Sequence, residues 1–358
     1  MHISTIQLRH VRIIETAELE PSPGVNLIVG NNASGKTSFL ESIDFLSRGR
    51  SFRSARPDDL IRSGCDGCQV VARVQNRGQL SRLGIERCAG ITRARIDGRD
   101  AGALADLARR LAVVVMEPLS ISLVSGSPSE RRSFLDWGVF HHAEGFLGSW
   151  QRYGRALGQR NSLLKRGVNT RTLAAIDRQL VEEAESLTAL RLSYLAALES
   201  QIQSMAASVL GGERLKLVYR QGWAQGEGLA DALARRLDTD KERGFTGAGP
   251  HRADLDITLD GDPVGRVASR GQQKAVVAVL KLAQARLFAL VREEPPVLLL
   301  DDVASELDRE HRAGVLRGAL ALGGQVFLTA IEEGAIDLPG EGGGRMFHVE
   351  HGRLQELV

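Results

Sequence analysis

Aromatic side chains make up only 4% of this 358-residue chain, too few for a nucleic-acid surface built on rows of stacked rings. The three cysteines, an odd number, do not make a disulfide framework. No apolar run approaches the ~18 residues that span a bilayer. The N-terminus, Met1-His2-Ile3-Ser4-Thr5-Ile6, has neither the apolar core nor the small-residue cleavage site of a secretory signal. Together these absences point to the cytoplasm. An excess of one charge sign is missing as well: the formal net charge is +2, which leaves room only for a local basic patch of the kind that contacts DNA.

Cys65-Asp66-Gly67-Cys68 has two metal-ligating residues where a zinc site needs four, and no second pair follows. Asp66-Gly67 instead suits a tight hairpin turn, with Gln69 to Val74 as the return strand.

What is present is an ordinary globular composition, 43% hydrophobic and 25% charged, and a clear change of pattern along the chain. Ile3 to Leu8, Val11 to Ile14 and Gly24 to Val29 read as strands, and Thr37 to Arg48 as a helix with Phe39, Leu40, Ile43 and Leu46 on one face. From Val70 to Ile96 strand-like segments alternate with turns such as Asp97-Gly98. Ser127-Pro128-Ser129-Glu130 fits a capping box at a helix start. Leu173, Ile176, Leu180, Ala184, Leu187, Leu190, Tyr194, Leu198 and Ile202 follow spacings of three and four, the signature of one long amphipathic helix. The helices at about 130–165 and 172–207 are expected to pack as an antiparallel arm that Gly211-Gly212 ends. Gln272 to Val291 reads as a helix, and Val297 to Leu300 and Val326 to Leu328 as buried strands. Gly340 to Gly344 reads as a flexible loop.

Gly30-Asn31-Asn32-Ala33-Ser34-Gly35-Lys36-Thr37, followed by Ser38, matches the phosphate-binding P-loop pattern between a strand and a helix. Glycines let the backbone N–H groups turn inward around phosphates, and the helix N-terminus adds a favourable dipole. Lys36 can reach the β- and γ-phosphates of ATP, and the Thr37 hydroxyl can ligate Mg²⁺. The second half of such a site is a carboxylate at the end of a buried strand. Val297-Leu298-Leu299-Leu300-Asp301-Asp302 supplies it, with Asp301 for the metal sphere and Asp302 placed to orient or deprotonate the attacking water.

More than 260 residues separate Lys36 from Asp301, a gap that resembles the ABC-type ATPases, including SMC heads assembled from both chain ends. Ser269-Arg270-Gly271-Gln272-Gln273-Lys274, opening a helix, resembles the ABC signature, whose serine and glycine cap the γ-phosphate held by a second subunit. Val303-Ala304-Ser305-Glu306-Leu307-Asp308 looks like the D-loop that crosses between two ATP sites. Taken with Gly249-Pro250-His251-Arg252-Ala253-Asp254-Leu255 and Gly126-Ser127-Pro128-Ser129-Glu130-Arg131-Arg132-Ser133-Phe134-Leu135-Asp136, these segments resemble the RecF family from about Ile3 to Thr329. The resemblance implies an α/β ATPase head of ABC/SMC type with an inserted helical arm: residues 1–118 and 244–358 as head, 119–243 as arm. It also implies an ATP-binding set of Gly30 to Ser38 with Ser269, Gly271, Gln272 and Asp308. Arg53 resembles the arginine that SMC-type heads bring near the nucleotide, with a plain surface arginine as the alternative.

The implied activity is a slow, DNA-stimulated ATPase that dimerises on ATP and clamps double-stranded or gapped DNA. With RecO and RecR it would place RecA on gaps. Arg131, Arg132, Arg152, Arg155, Arg160, Lys165 and Arg166 give the arm a basic surface, and Arg155, Arg160 and Lys165 are the expected DNA contacts. A solvated helix face is the other reading of the same charges. Where transporter ATPases keep a switch histidine this chain has Thr329-Ala330. Around Val113 to Glu117 no Q-loop glutamine is found.

Overall fold

A computed structural model describes residues 1–54, 56–167, 170–302, 307–335 and 344–357. The chain divides into two units. The first comprises Met1–Ser120, Met205–Gly212 and Arg270–Val358; the second comprises Ile121–Ser204 and Glu213–Ser269.

The first unit holds two sheets. An antiparallel sheet has the order β2-β1-β4-β5-β6-β7, from β1 (His2–Val11), β2 (Ile14–Leu19), β4 (Gly67–Asn76), β5 (Gln79–Cys88), β6 (Ile91–Ile96) and β7 (Arg99–Asp100). It alternates a buried and an exposed face, as Cys68, Val70, Ala72 and Val74 show on β4. The second sheet has the order β15-β14-β3-β13-β12-β8, from β3 (Val25–Val29), β8 (Val113–Met116), β12 (Val297–Leu300), β13 (Val326–Ala330), β14 (Arg345–Glu350) and β15 (Arg353–Leu357). Five of its strands are parallel and β15 closes it antiparallel. Val297 to Leu300 and Val326 to Leu328 are all within 1% of full burial, which is why they read as unbroken apolar runs. Strands from both chain ends thus make one sheet. Gln325, fully buried just before β13, ties this sheet to the first: its side chain accepts the Ile3 N–H at 2.7 Å and donates to the Ile3 and Ser22 carbonyls.

Helix α1 (Lys36–Arg48) buries Phe39, Leu40, Ile43, Phe45 and Leu46 and ends on Gly49, whose φ of 72° needs a residue without Cβ. Helix α2 (Leu104–Arg110) belongs to the same unit, and α10 (Arg270–Arg292) and α11 (Arg309–Leu320) follow near the C-terminus.

The second unit is built on α3 (Ser122–Ser125), α4 (Pro128–His142), α5 (Phe146–Lys165) and α6 (Thr170–Val209), the last turns of α6 falling in the first unit. Strands β9 (Leu215–Arg220), β10 (Asp254–Leu259) and β11 (Asp262–Pro263) form a small antiparallel sheet. Short helices α7 (Leu229–Arg235), α8 (Leu237–Arg243) and α9 (Val264–Val267) complete it. Side-chain pairs 149–186, 152–183 and 160–177 run in opposite senses along α5 and α6, so these helices are antiparallel. Leu173, Leu180, Ala184, Leu187, Tyr194, Leu198 and Ile202 are buried, as their spacing predicts. Gly211 and Gly212 stop α6 at φ values of 69° and 107°.

Several local expectations are corrected. Val11 to Ile14 is not a strand but the turn between β1 and β2, with Arg12 at φ 54°. Asp66-Gly67 is no hairpin turn: Gly67 already lies in β4 opposite Cys88, and Gly64 makes the bend at φ 82°. Cys68 faces the core and all three cysteines are free. The segment 130–165 is two helices, interrupted by Ala143 to Gly145, where Gly145 turns the chain at φ 88°. The capping box at Ser127 is not formed: its hydroxyl meets Ser129 Oγ at 2.6 Å instead of an N–H. The arm boundaries also move. Residues 244–269 group with the arm rather than the head because β10 pairs with β9 and Asp254 binds Arg131. The loop at 340–343 lies outside the described residues.

Candidate nucleotide site

The parallel sheet decides which residues meet. Its register sets Leu300 beside Leu328, and Thr329 and Ala330 beside Ile28 and Val29. Asp301 and Gly30, one residue beyond Leu300 and Val29, leave their strands at the same carboxyl edge as Thr329 near the end of β13, where ligands of open α/β sheets bind. On the far side of β12, Met116 pairs with Leu300, so Glu117 emerges next to Asp301.

Gly30 (φ 155°) and Gly35 (φ 122°) shape the loop. A Cβ on Gly30 would stand 2.3 Å from the Val349 carbonyl, so no larger residue fits. The Phe39 N–H bonds the Gly35 carbonyl, whereas the amides of Gly35, Lys36 and Thr37 meet no acceptor among the described residues. The Ser34 hydroxyl is buried and likewise unpartnered. Unpaired donors in a glycine loop at a helix N-terminus are what a phosphate chain would satisfy. Lys36 Nζ donates to the carbonyls of Gly30 (2.6 Å) and Asn31 (2.9 Å). Burial pulls its pKa down, opposed by the carboxylates of Asp302 and Asp301. Ser38 is buried at the start of α1.

Thr37 Oγ1 donates to Asp301 Oδ1 at 3.1 Å, and Thr329 Oγ1 donates to the same oxygen at 2.8 Å. Burial raises the Asp301 pKa, while those two hydrogen bonds act against it, and so does the charge of Arg53. The hydroxyl–carboxylate pair fits a magnesium ion, which takes oxygen ligands from a few side chains and the rest from phosphates and water. The Asp302 amide donates to Thr329 Oγ1 at 2.8 Å, and its backbone is left-handed at φ 53°. Glu117 accepts from Leu119 N–H at 2.6 Å and from Ser120 Oγ at 3.0 Å; burial raises its pKa. It stands where the glutamine was missing.

Sequence reasoning missed Thr329, Glu41 and Arg12. Glu41, fully buried one helical turn after Thr37, accepts two hydrogen bonds from Arg12 and one from Ser51 Oγ. Its only signal was a carboxylate within the apolar run of α1. Arg53 Nη1 lies 3.7 Å from Glu41, and the side chain is 49% exposed. Gly271 and Gln272, half-buried, sit in the first turn of α10, and Ser269 precedes it, exposed. Asp308 caps α11, accepting the His311 N–H at 3.0 Å and facing the His311 ring at 2.6 Å, so that its carboxyl is held more acidic than usual. Val303 to Glu306 of the expected D-loop lie outside the described residues.

The expected DNA contacts divide. Arg155 and Lys165 are exposed. Arg160 is not available: it is fully buried, bound to Asp177 at 2.7 Å, Asp240 at 2.9 Å and Thr246 at 3.0 Å. Its spacing put it on the inner face of α5, so the charge serves packing rather than phosphates. Arg131, Arg132 and Arg152 are likewise engaged, with Asp254, the Ala253 carbonyl and Glu183. Asp136 pairs with Arg191, which also donates to the Pro250 carbonyl. The two most distinctive sequence segments therefore bind each other.

The sequence of residues 2–341 matches the family model for the RecF/RecN/SMC N-terminal domain. The "DNA replication and repair protein RecF" of Thioalkalivibrio sulfidiphilus is 43% identical over 99% of both chains. That of Pseudomonas paraeruginosa is 40% identical over 100% of this chain and 98% of its own. Among solved structures, the recombination mediator protein RecF with ATP, of the RecFOR pathway, superposes with a TM-score of 0.89 at 26% identity, covering 100% of this chain and 98% of that one. An SMC head bound to a winged-helix domain of ScpA gives 0.59 at 16% identity, a likeness of fold.

Proposed function

Since this chain belongs to the RecF family, we propose that it is an ATP-driven DNA clamp: it binds ATP, dimerises on it, and holds double-stranded DNA or the duplex edge of a gap. With RecO and RecR it then helps to place RecA on the gap. Hydrolysis is slow, stimulated by DNA, and resets the clamp. The observation that carries this reading is the meeting of Lys36, Thr37, Asp301 and Thr329 at one sheet edge, beside unpaired amides of a glycine loop.

In this reading the amides of the loop and the Ser34 hydroxyl cradle the phosphates. Lys36 exchanges its two carbonyl partners for β- and γ-phosphate oxygens. Thr37 and Asp301 hold Mg²⁺, which neutralises charge on the phosphates during transfer. Asp302 orients or deprotonates the attacking water. Ser269, Gly271 and Gln272 of a second copy close over the γ-phosphate, at a positive helix end suited to an anion. Arg155 and Lys165 contact the DNA backbone.

Sedimentation of wild-type and Lys36→Met protein, with and without ATP and a gapped DNA fragment, tests the proposal. Wild-type protein is expected to form a DNA-bound dimer only with ATP, and the variant to stay monomeric. A wild-type protein that binds ATP yet stays monomeric on DNA would overturn the clamp.

A further inference from the structure

Gly249 to Arg252 take no part in the nucleotide site, yet the loop that carries them, between α8 and β10, is pinned from three helices. From α5, Asn161 Oδ1 accepts both the N–H (2.8 Å) and the hydroxyl (2.7 Å) of Thr246, and the buried Arg160 donates to that hydroxyl. From the same helix the Tyr153 hydroxyl meets His251 Nδ1 at 2.6 Å, while Nε2 of that ring lies 3.0 Å from the Thr246 carbonyl. A carbonyl can only accept, so Nε2 carries the proton and the Tyr153 O–H donates to Nδ1. Arg191 of α6 donates to the Pro250 carbonyl at 2.9 Å, and Arg132 of α4 to the Ala253 carbonyl at 2.8 Å. Gly249, at φ 135°, passes so close to the Tyr153 hydroxyl that a Cβ would collide with it.

This mounting leaves a ring and a cation in solvent. Of the ten phenylalanines in the chain, Phe245 alone is exposed. The Arg252 guanidinium lies over it, with Cζ 5.2 Å from the ring centroid. Lys165, at the end of α5, lies across Gly244, the residue before Phe245, and Arg243 precedes that glycine. Arg252, Arg243 and Lys165 are all exposed, and none has an ion-pair partner among the described residues. From 241 to 252 the exposed charges are Lys241, Arg243 and Arg252 against Glu242. A loop that merely joined α8 to β10 would gain by turning the ring inward, away from water.

We propose that Phe245 and Arg252 form a stacking platform for an unpaired nucleic-acid base, next to the duplex backbone held by Arg155 and Lys165. The arm then favours the junction of single and double strand over plain duplex. The inference rests on the DNA reading above and adds the element that reads the junction. Every base has a flat π face, which stacks on an aromatic ring or a guanidinium plane. Bases inside a duplex are covered by their neighbours, whereas the first unpaired one can be offered to a side chain. The phosphates flanking that base suit Lys165 and Arg243. Rigidity matters because a platform that must first be ordered loses part of its binding energy to that ordering. The bonds from Asn161, Tyr153 and Arg191 supply the order before DNA arrives.

The test measures, by fluorescence anisotropy at one fixed salt concentration, how the full chain with ATP and Mg²⁺ binds a plain duplex and the same duplex with a single-stranded tail. A second readout places 2-aminopurine as the first unpaired base, whose fluorescence falls on stacking. Wild-type protein is expected to bind the tailed duplex about tenfold more tightly, the order of one base–aromatic stack, and to quench the probe. Phe245→Ala is expected to bind both DNAs alike and leave the probe bright, with duplex affinity and thermal midpoint unchanged. Phe245→Trp should keep both the preference and the quenching. Arg252→Lys, which retains the charge but not the plane, should lose several-fold of the preference. If the pair serves the fold alone, Phe245→Ala lowers the midpoint and keeps preference and quenching, which overturns the proposal. Should Phe245→Ala not fold, wild-type preference in Arg252→Lys overturns it instead. Equal binding of the two DNAs by wild-type protein also overturns it and leaves the clamp standing. Wild-type protein that binds neither DNA removes the DNA reading together with this one.

Discussion

Thr329 serves two residues at once: its hydroxyl donates to Asp301 Oδ1 and accepts the Asp302 amide. Asp302 is in a left-handed backbone, which costs a residue with a Cβ some strain, though less for Asp than for most. Thr329→Val keeps the shape of the side chain and removes both bonds. ATP affinity should change by less than a few-fold, while single-turnover hydrolysis drops about 10–100-fold, as when a partner orienting a metal-binding carboxylate is lost. Hydrolysis at the wild-type rate would show that Asp301 and Asp302 hold their places unaided. Lys36, Thr37 and Asp301 were all legible in the sequence because their spacing is local to one strand–loop–helix or one strand end. Thr329 and Glu41 were not, since a lone threonine in a strand and a lone glutamate in a helix have no pattern until their neighbours are known.

At the scale of elements, helix periodicity carried the arm. The apolar stripe of α6 is buried where its spacing places it, whereas the charges of α5 at Arg155, Arg160 and Lys165 read as an outward-facing basic surface for DNA. That inference failed for Arg160, because a guanidinium with two carboxylates and a hydroxyl around it can be buried, whereas hydrophobic patterning assumes it stays wet. The meeting of α4 and α6 is equally specific. A Cβ on Gly138 would lie 2.1 Å from the Tyr194 ring, so the glycine inside α4 is there for contact rather than flexibility. Gly138→Ala should destabilise the protein by about 1–3 kcal/mol, the usual cost of overpacking, in urea unfolding. Tyr194→Leu in the same background should recover part of it. An unchanged midpoint for Gly138→Ala would mean that the two helices part easily.

For the whole molecule, the proposed clamp needs a second copy of the chain to complete each nucleotide site. The N-terminus of α10, a helix of 23 residues, presents Ser269 to solvent. In the clamp reading this end has no nucleotide of its own and completes its neighbour's. Ser269→Arg should then bind ATP with wild-type affinity while remaining monomeric in sedimentation with ATP. Dimerisation of that variant would place the subunit contact elsewhere. No helix among the described residues is long and apolar enough to cross a membrane.

The sequence by itself determined the P-loop, the acidic strand end, the long amphipathic helix and the family, because each rests on residues close together in the chain or on a pattern repeated along it. Tertiary structure decided the rest. It joined strands from residues 25–29 and 297–330 so that Asp301, Thr329 and Gly30 share one edge, gave residues 244–269 to the arm, and placed Glu41 between two arginines. Partners for a buried charge or a strand are chosen by packing across the fold, and chain separation carries no record of that choice.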